Sequence, residues 1–227
     1  MIHYKQFIII CSLLFGLVHF SCVKKEGKTL KVVYHEQFIT IDGEITNNEW
    51  EMKSLISGLV DPWSEKRVDQ TEFKAFHSKH HFYFCFEVFD TTITTFDFKG
   101  ELTVAEEDRV ELFFCPDTSL RQYFCVEIDP LGRVLDYSAQ FYRKFDEQWK
   151  LEQMEIAANI CDSGYVVEGR FPLDEMKKLG IGDNFWIGIF RADFKRSGDI
   201  TWYSWISPKS IEPDFHIPSA FEKISLK

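Results

Sequence analysis

The side chains with chemistry to offer are spread thinly through these 227 residues. Acidic runs stand at Glu106-Glu107-Asp108 and at Asp146-Glu147. Paired carboxylates can cleave a glycosidic bond, but only when two of them face each other across a cleft. Nothing in the spacing brings two of these acids face to face, so they read as solvated loop charges. His35, His77, His80 and His81 are scattered over strand positions and read as surface or core residues. Cys85, Cys115, Cys125 and Cys161 show no CxxC-type spacing for a metal. A GxSxG elbow, an HExxH helix, a phosphate loop and a dinucleotide fingerprint are all missing from the sequence. The expectation is a protein that binds and does not catalyse.

What such a protein meets depends on its compartment, and the N-terminus speaks to that. A basic start ending in Lys5, an apolar run from Phe7 to Phe20 and the pair Ser21-Cys22 are the parts of a secretory signal. The run is shorter than the ~20 residues of a spanning helix. Cys22 stands where a lipoprotein keeps its acylated cysteine; plain signal cleavage with Cys22 incidental is the alternative. Residues 1–21 are therefore read as the signal, 22–30 as a polar tether and 31–227 as one domain. The expected location is the cell envelope, periplasm-facing or outer-membrane, with membrane contact only through the lipid. Lys24-Lys25 directly after the cysteine favours a periplasm-facing anchor. In an oxidising compartment the remaining cysteines could pair, and Cys115 with Cys125 is the candidate. Buried apolar thiols are the competing reading.

The net charge of −10 argues against nucleic acid and against anionic membrane surfaces, both of which need a basic face. The 23 phenylalanines promise a well-filled core. Along the chain, strand patterns follow one another. They run through Lys31–His35, Phe38–Asp42, Glu72–Ser78, His80–Asp90, Arg109–Cys115, Gln122–Asp129, Arg133–Tyr142, Gln153–Cys161, Tyr165–Phe171, Asp183–Phe194, Thr201–Ile206 and Phe221–Leu226. His80–Asp90 is apolar on both faces, as a central strand with both sides covered would be. Thr46–Trp50 reads as a capped helical turn, and Leu173–Leu179 as a short helix ended by Gly180. A dozen short strands with turns between them predict an all-β fold, a single jelly-roll-like antiparallel β-sandwich with one or two short helices.

Three separated stretches resemble one family. Ile41-Asp42-Gly43 with Trp50 is similar to the opening motif of family 9 carbohydrate-binding modules. Glu107-Asp108-Arg109-Val110-Glu111-Leu112-Phe113 resembles their central strand, with Tyr123 to Gly132 and Asp136 as its follow-on hairpin. Gly164–Pro172, then Ser204-Trp205 and Pro213–Phe221, are similar to their closing segments. The resemblance covers residue 38 to the C-terminus. It implies a sandwich that grips a sugar between aromatic rings, because pyranose C–H faces are apolar while hydroxyls need planar polar partners.

Carried over residue by residue, the resemblance makes Phe215 an aromatic wall, with His216 beside it. Glu111 is either a ligand contact or half of a buried ion pair with Arg191, and Arg191 also lies near a family polar contact. The family's second sandwiching Trp is absent, since Val104 and Ala105 stand in its place. Trp63, Phe96 or Phe98 could replace it. Trp63 reads as a rim aromatic and Trp202 as the exposed member of the Trp202/Trp205 pair. Asp90 is either a strand-ending acid or, as in the family, a neighbour of calcium. The expected ligand is a poly- or oligosaccharide bound by a monomer, with no cofactor beyond that calcium. Two alternatives remain. One is a haem- or other small-ligand-binding relative, although Met52, Met154 and Met176 form no matching Met/His pair. The other is a glycan-active hydrolase or enzyme accessory.

Overall fold

The computed structural model describes residues 29–45, 50–51, 53–64 and 68–227. The signal segment, Cys22 and the Thr46–Glu49 turn lie outside the described residues. Within them the chain is an antiparallel β-sandwich of thirteen strands with one short α-helix. One sheet runs β8 (Lys144–Asp146), β7 (Val134–Gln140), β6 (Tyr123–Ile128), β5 (Arg109–Cys115), β11 (Asn184–Phe194), β12 (Ile200–Ser204). The other runs β2 (Ser54–Val60), β3 (Val68–His77), β4 (His81–Val88), β10 (Gly164–Pro172), β9 (Glu155–Cys161). They join through the Ser204 to Val60 pairing of β12 with β2. A second junction passes through β13 (Glu222–Leu226) and β1 (Leu30–Tyr34), which pairs in parallel with both β13 and β3. The helix α1 (Leu173–Lys178) follows β10, and no helix among the described residues is long and apolar enough to cross a membrane.

Strand alternation sends successive side chains to opposite faces of each sheet. Val110, Leu112 and Phe114 of β5, Phe124, Val126 and Ile128 of β6, and Ile187 and Ile189 of β11 point into the space between the sheets. There they meet Phe73, Phe82, Phe84, Phe86, Val167 and Phe171 of the other sheet. The opposite face of β4 is also covered, as its two-sided pattern predicts: Tyr83 and Cys85 pack with Ile39, Trp50 and Phe76. The outer face of β5–β6–β11 carries a further cluster of Phe113, Tyr123, Tyr137, Phe190, Phe215 and Phe221.

Several expectations need correction. Phe38–Asp42 is not a strand; its last backbone N–H groups are used by a carboxylate instead of a ladder. The strand Ser54–Val60 went unseen because its period is broken by a register shift between Ser57 and Leu59. Glu107 and Asp108 are fully buried, not solvated. Glu107 binds the Phe96 N–H at 2.7 Å and both its oxygens bind Arg133, while Asp108 accepts the N–H groups of Thr94 (2.8 Å) and Phe194 (2.6 Å). These acids are loop anchors. Cys115 and Cys125 are free thiols in the outer-face cluster. Cys125 pairs across the ladder with Phe113, which leaves Cys115 two residues along the strand. Their reading as small apolar residues holds.

Candidate functional site

The outer face of the β8–β12 sheet is where polar groups interrupt the apolar surface. Two neighbouring rows of the sheet matter. In the first, Trp202 of β12 lies across the ladder from Ala192 of β11, and Ala192 lies across from Arg109 of β5. Because Ala192 is small, the Arg109 guanidinium can reach over to both neighbouring aromatic rings, 5.4 Å from the Trp202 centroid and 5.6 Å from that of Phe194. In the second row Phe190 pairs with Glu111, and Glu111 with Glu127 of β6. Period-two alternation thus places Arg109, Glu111, Glu127, Phe190 and Trp202 on one surface.

This surface floors a cleft of about 240 Å³. Arg109, Glu111 and Glu127 form its base, Trp202 one wall, and Pro213 to His216 another, with Arg143 from the β7–β8 hairpin at the edge. The base is an ion triad. Arg109 Nε lies 2.9 Å from Glu111 and 2.6 Å from Glu127, and all three side chains are buried. Tyr137 of β7 donates its hydroxyl to Glu127 at 2.7 Å. Burial, and then the charge of Glu127, push the Glu111 carboxyl up, against the pull of Arg109. One guanidinium between two carboxylates leaves a negative charge in excess, and a proton on Glu111 removes it. His216 is held neutral, lowered to about 3 by burial and by Arg143. Its Nδ1 sits 3.1 Å from the Tyr123 hydroxyl.

The closing loop is seated by ring contacts and by polar ties. Phe215 stacks on Phe190 with centroids 3.9 Å apart and planes 8° apart, and meets Trp202 edge-on at 5.8 Å. Trp63 lies against Phe215 at 5.8 Å and donates its indole N–H to Ser210 at 3.1 Å. Asp214 accepts from the Tyr142 hydroxyl (2.8 Å) and from Arg143 (3.1 Å), which ties the β7–β8 hairpin to this loop.

The expected site residues therefore divide. Glu111, Trp202, Phe215 and His216 line one cleft, and Trp63 backs it. Phe215 is a buried wall at 5 % exposure, not an open platform, so the partly exposed ring at the cleft is Trp202. Phe96 and Phe98 are not among the lining residues; Arg133 covers the Phe98 ring and binds the Phe96 carbonyl. Arg191 is not the partner of Glu111. It is one residue out of step with Phe190 and so points into the space between the sheets, where it pairs with Asp69 at 2.9 Å and with Asp90. Its place beside Glu111 belongs to Arg109. Glu127, Arg143 and Asp214 are further members that sequence reasoning missed. For Glu127 the available signal was one glutamate inside an otherwise apolar strand, YFCVEI.

Asp90 does join an acidic corner. One oxygen each of Asp90, Asp108 and Asp193 lie within 4.8 Å of one another. Oxygen donors of this kind suit a hard cation such as calcium. Arg191, bonded to Asp90, already supplies a fixed positive charge in that corner, and Asp108 is raised to about 6 by burial.

Comparison with known proteins finds one matching family and several solved structures of the same fold. The model of the carbohydrate family 9 binding domain-like family matches residues 41–227. Solved structures share the fold at low identity. A Bacteroides uniformis protein assigned to carbohydrate binding superposes with a TM-score of 0.71 at 17% identity, covering 88% of this chain and 100% of its own. A family 9 carbohydrate-binding module from Caldicellulosiruptor kristjanssonii in complex with cellotriose gives 0.62 at 15% identity, covering 88% and 94%. The complex of such a module from the same organism with glucose gives 0.60 at 16%, covering 87% and 95%. Among curated proteins none matches the sequence.

Proposed function

The chain belongs to the carbohydrate family 9 binding domain-like family, and on that premise we propose that it is a non-catalytic glycan-binding domain whose ligand lies in the Trp202 cleft. The observation that carries this reading is the pairing of rings with a polar floor in one concavity. Trp202 and the Phe215 wall offer apolar contact to the C–H face of a pyranose. Arg109, Glu111 and Glu127 offer hydrogen-bond partners for its hydroxyls, and they are pre-ordered because the triad holds them. A protonated Glu111 can donate to a sugar oxygen, while Glu127 and the guanidinium provide an acceptor and a donor.

The test is a titration of intrinsic tryptophan fluorescence with mono- and oligosaccharides, with and without calcium, backed by calorimetry. A saturable change for particular sugars, abolished in Trp202→Ala, supports the reading. No response from any sugar in a folded chain removes it.

We extend the proposal to the compartment. The protein is exported as a monomer and held in the cell envelope by a lipid on Cys22, with the signal and the Lys24-Lys25 pair as the supporting features. Palmitate labelling that persists in Cys22→Ala would overturn the anchor. Removal of the protein by protease on intact cells would overturn the periplasmic orientation.

A further inference from the structure

Phe96 and Phe98 are left without a role by the cleft, yet their rings are 52% and 53% exposed, and Leu131 of the β6–β7 turn matches them at 53%. The three flank one arginine. Arg133 donates to the Phe96 carbonyl at 2.9 Å and lies 5.4 Å from the Phe98 centroid. It is paired with Asp129, which also accepts the Leu131 N–H at 2.8 Å. Glu107, buried, holds both Arg133 and the Phe96 N–H. Phe89, just past the end of β4, and Ile200, across the ladder from Phe194, are further exposed apolar residues at this end of the sandwich. A single exposed apolar side chain needs no account, but several gathered on anchored loops mark a surface that meets an apolar partner.

The chain enters β1 from this same end. β11 runs toward Phe194, and the Thr94 hydroxyl binds the Phe194 carbonyl there at 2.8 Å. β13 is antiparallel to β11 and β1 is parallel to β13, so β1 runs away from Phe194. Leu30 stands level with Phe185 through Ile224, and the nine residues from there to Phe194 rise about 30 Å. Cys22 precedes Leu30 by eight residues, a reach of at most about 26–29 Å. A lipid on Cys22 can therefore lie close to the Phe96 end. The opposite end is also within reach, but the chain would have to double back to it, and its β3–β4 turn is the polar run Ser78-Lys79-His80.

We infer that the domain rests on the bilayer through this end, with Phe96, Phe98 and Leu131 among the headgroups of the lipids around the Cys22 anchor. The inference rests on the lipid anchor proposed above and adds a contact made by protein side chains. The occupant is a zwitterionic lipid surface. A chain charge of −10 repels anionic headgroups, and Asp97 beside Lys99 makes no basic face. Apolar side chains at a membrane boundary strengthen attachment in proportion to the area they bury. They also fix an orientation that a lipid alone leaves open.

The experiment uses the lipidated protein in vesicles of phosphatidylethanolamine and phosphatidylcholine. Cys161→Ser removes the exposed thiol, and Phe98→Cys or Leu131→Cys then takes a nitrobenzoxadiazole label. Lys79→Cys, in the turn at the opposite end, is the control. The labels at Phe98 and Leu131 are expected to shift to the blue. Lipids brominated on their acyl chains should quench them about twofold or more, as befits a side chain ~5–10 Å into the boundary. The label at Lys79 should not respond. Two label positions keep the test intact if one substitution disturbs its loop. Protein that floats with the vesicles but shows no quenching at either position overturns the inference and leaves the anchor standing. So does equal quenching at Lys79. A blue shift that needs no vesicles and grows with protein concentration overturns it in favour of a second copy of the chain. Protein that neither floats nor takes up palmitate removes the anchor, and the inference falls with it.

Discussion

Trp50 donates its indole N–H to Glu168 at 3.3 Å, 118 positions further along the chain. The other oxygen of that carboxylate accepts the backbone N–H groups of Asp42 (2.8 Å) and Gly43 (2.9 Å). The Ile41-Asp42-Gly43…Trp50 motif and the Gly164–Pro172 motif are therefore two halves of one anchor. It clamps the N-terminal segment onto the outer face of β10. Gly43 is needed there twice over, with φ at +83° and with a Cβ position only 2.9 Å from the Ala158 carbonyl carbon.

Glu168→Ala removes three acceptor contacts at a fully buried position and strands three donors. The expected loss is about 2–4 kcal/mol of unfolding free energy. Urea denaturation should show it as a lower midpoint at unchanged slope. A change within error would mean that water replaces the carboxylate and that the anchor is not structural.

Much of the architecture was legible because it lies in alternation. The strands β4, β5, β6, β10 and β11 announce themselves through apolar residues at every second position or at all positions. The site was legible only in part, for a physical reason. Glu111, Trp202, Phe215 and His216 stand in or near motifs, but Arg191 against Arg109 is a question of which face a residue occupies. A one-residue difference in register reverses the face. Glu127 and Asp214 also stand inside the matched stretches, but they reach the cleft through β-pairing and a long loop, contacts that no local pattern encodes. The buried acids Glu107 and Asp108 look in sequence like any solvated charge run, since their partners are backbone N–H groups and an arginine 26 positions from Glu107.

The Arg109 triad is expected to be costly to break from the cation side. Arg109→Ala leaves Glu111 and Glu127 facing each other across the ladder with no counter-charge. Removing one partner of a buried ion pair costs about 3–5 kcal/mol. The loss should shrink as the pH is lowered, because protonation of the stranded carboxylates relieves it. Thermal melts of the variant at pH 8 and pH 5 check this, and a pH-independent loss would point to packing against Trp202 instead.

The pH dependence of the parent chain has a defined sign. Glu111 is raised from 4.5 to about 8 and Asp108 from 3.8 to about 6, burial being the leading cause of each. Between their unfolded and folded values these two carboxyls hold more protons in the folded chain than in the unfolded one, so they make stability fall as pH rises, while His216, lowered from 6.5 to about 3, acts in the opposite sense below about pH 6.5. The contribution of the two carboxyls is complete below about pH 4 and is lost progressively as pH climbs through 6 and 8. Glu111→Gln, which mimics the protonated form, should flatten the upper part of that decline. Denaturant titrations from pH 7 to 9, above the range in which His216 titrates, decide it, and a stability that rises over this interval would contradict a protonated Glu111.

Asp214 offers a way to separate binding from folding. Its bonds to Tyr142 and Arg143 lie at the surface, and such pairs contribute about 0–1 kcal/mol to stability. Their geometric effect is larger, since they hold the β7–β8 hairpin against the loop that carries Phe215 and His216. Asp214→Ala, which also frees the His216 backbone N–H held at 2.9 Å, should therefore lower the unfolding midpoint only slightly while the two walls of the cleft separate. Ordering them again on binding costs about 0.5–1.5 kcal/mol for each side chain that must be immobilised. With Tyr142 and Arg143 both released, saccharide affinity should drop by about fivefold to a hundredfold. Tyr142→Phe, which removes only one of the two bonds, should fall between the parent and Asp214→Ala. Calorimetric affinities ranked in that order would show that the bridge pre-organises the site. Equal affinities for all three proteins would show that the hairpin holds its position without it.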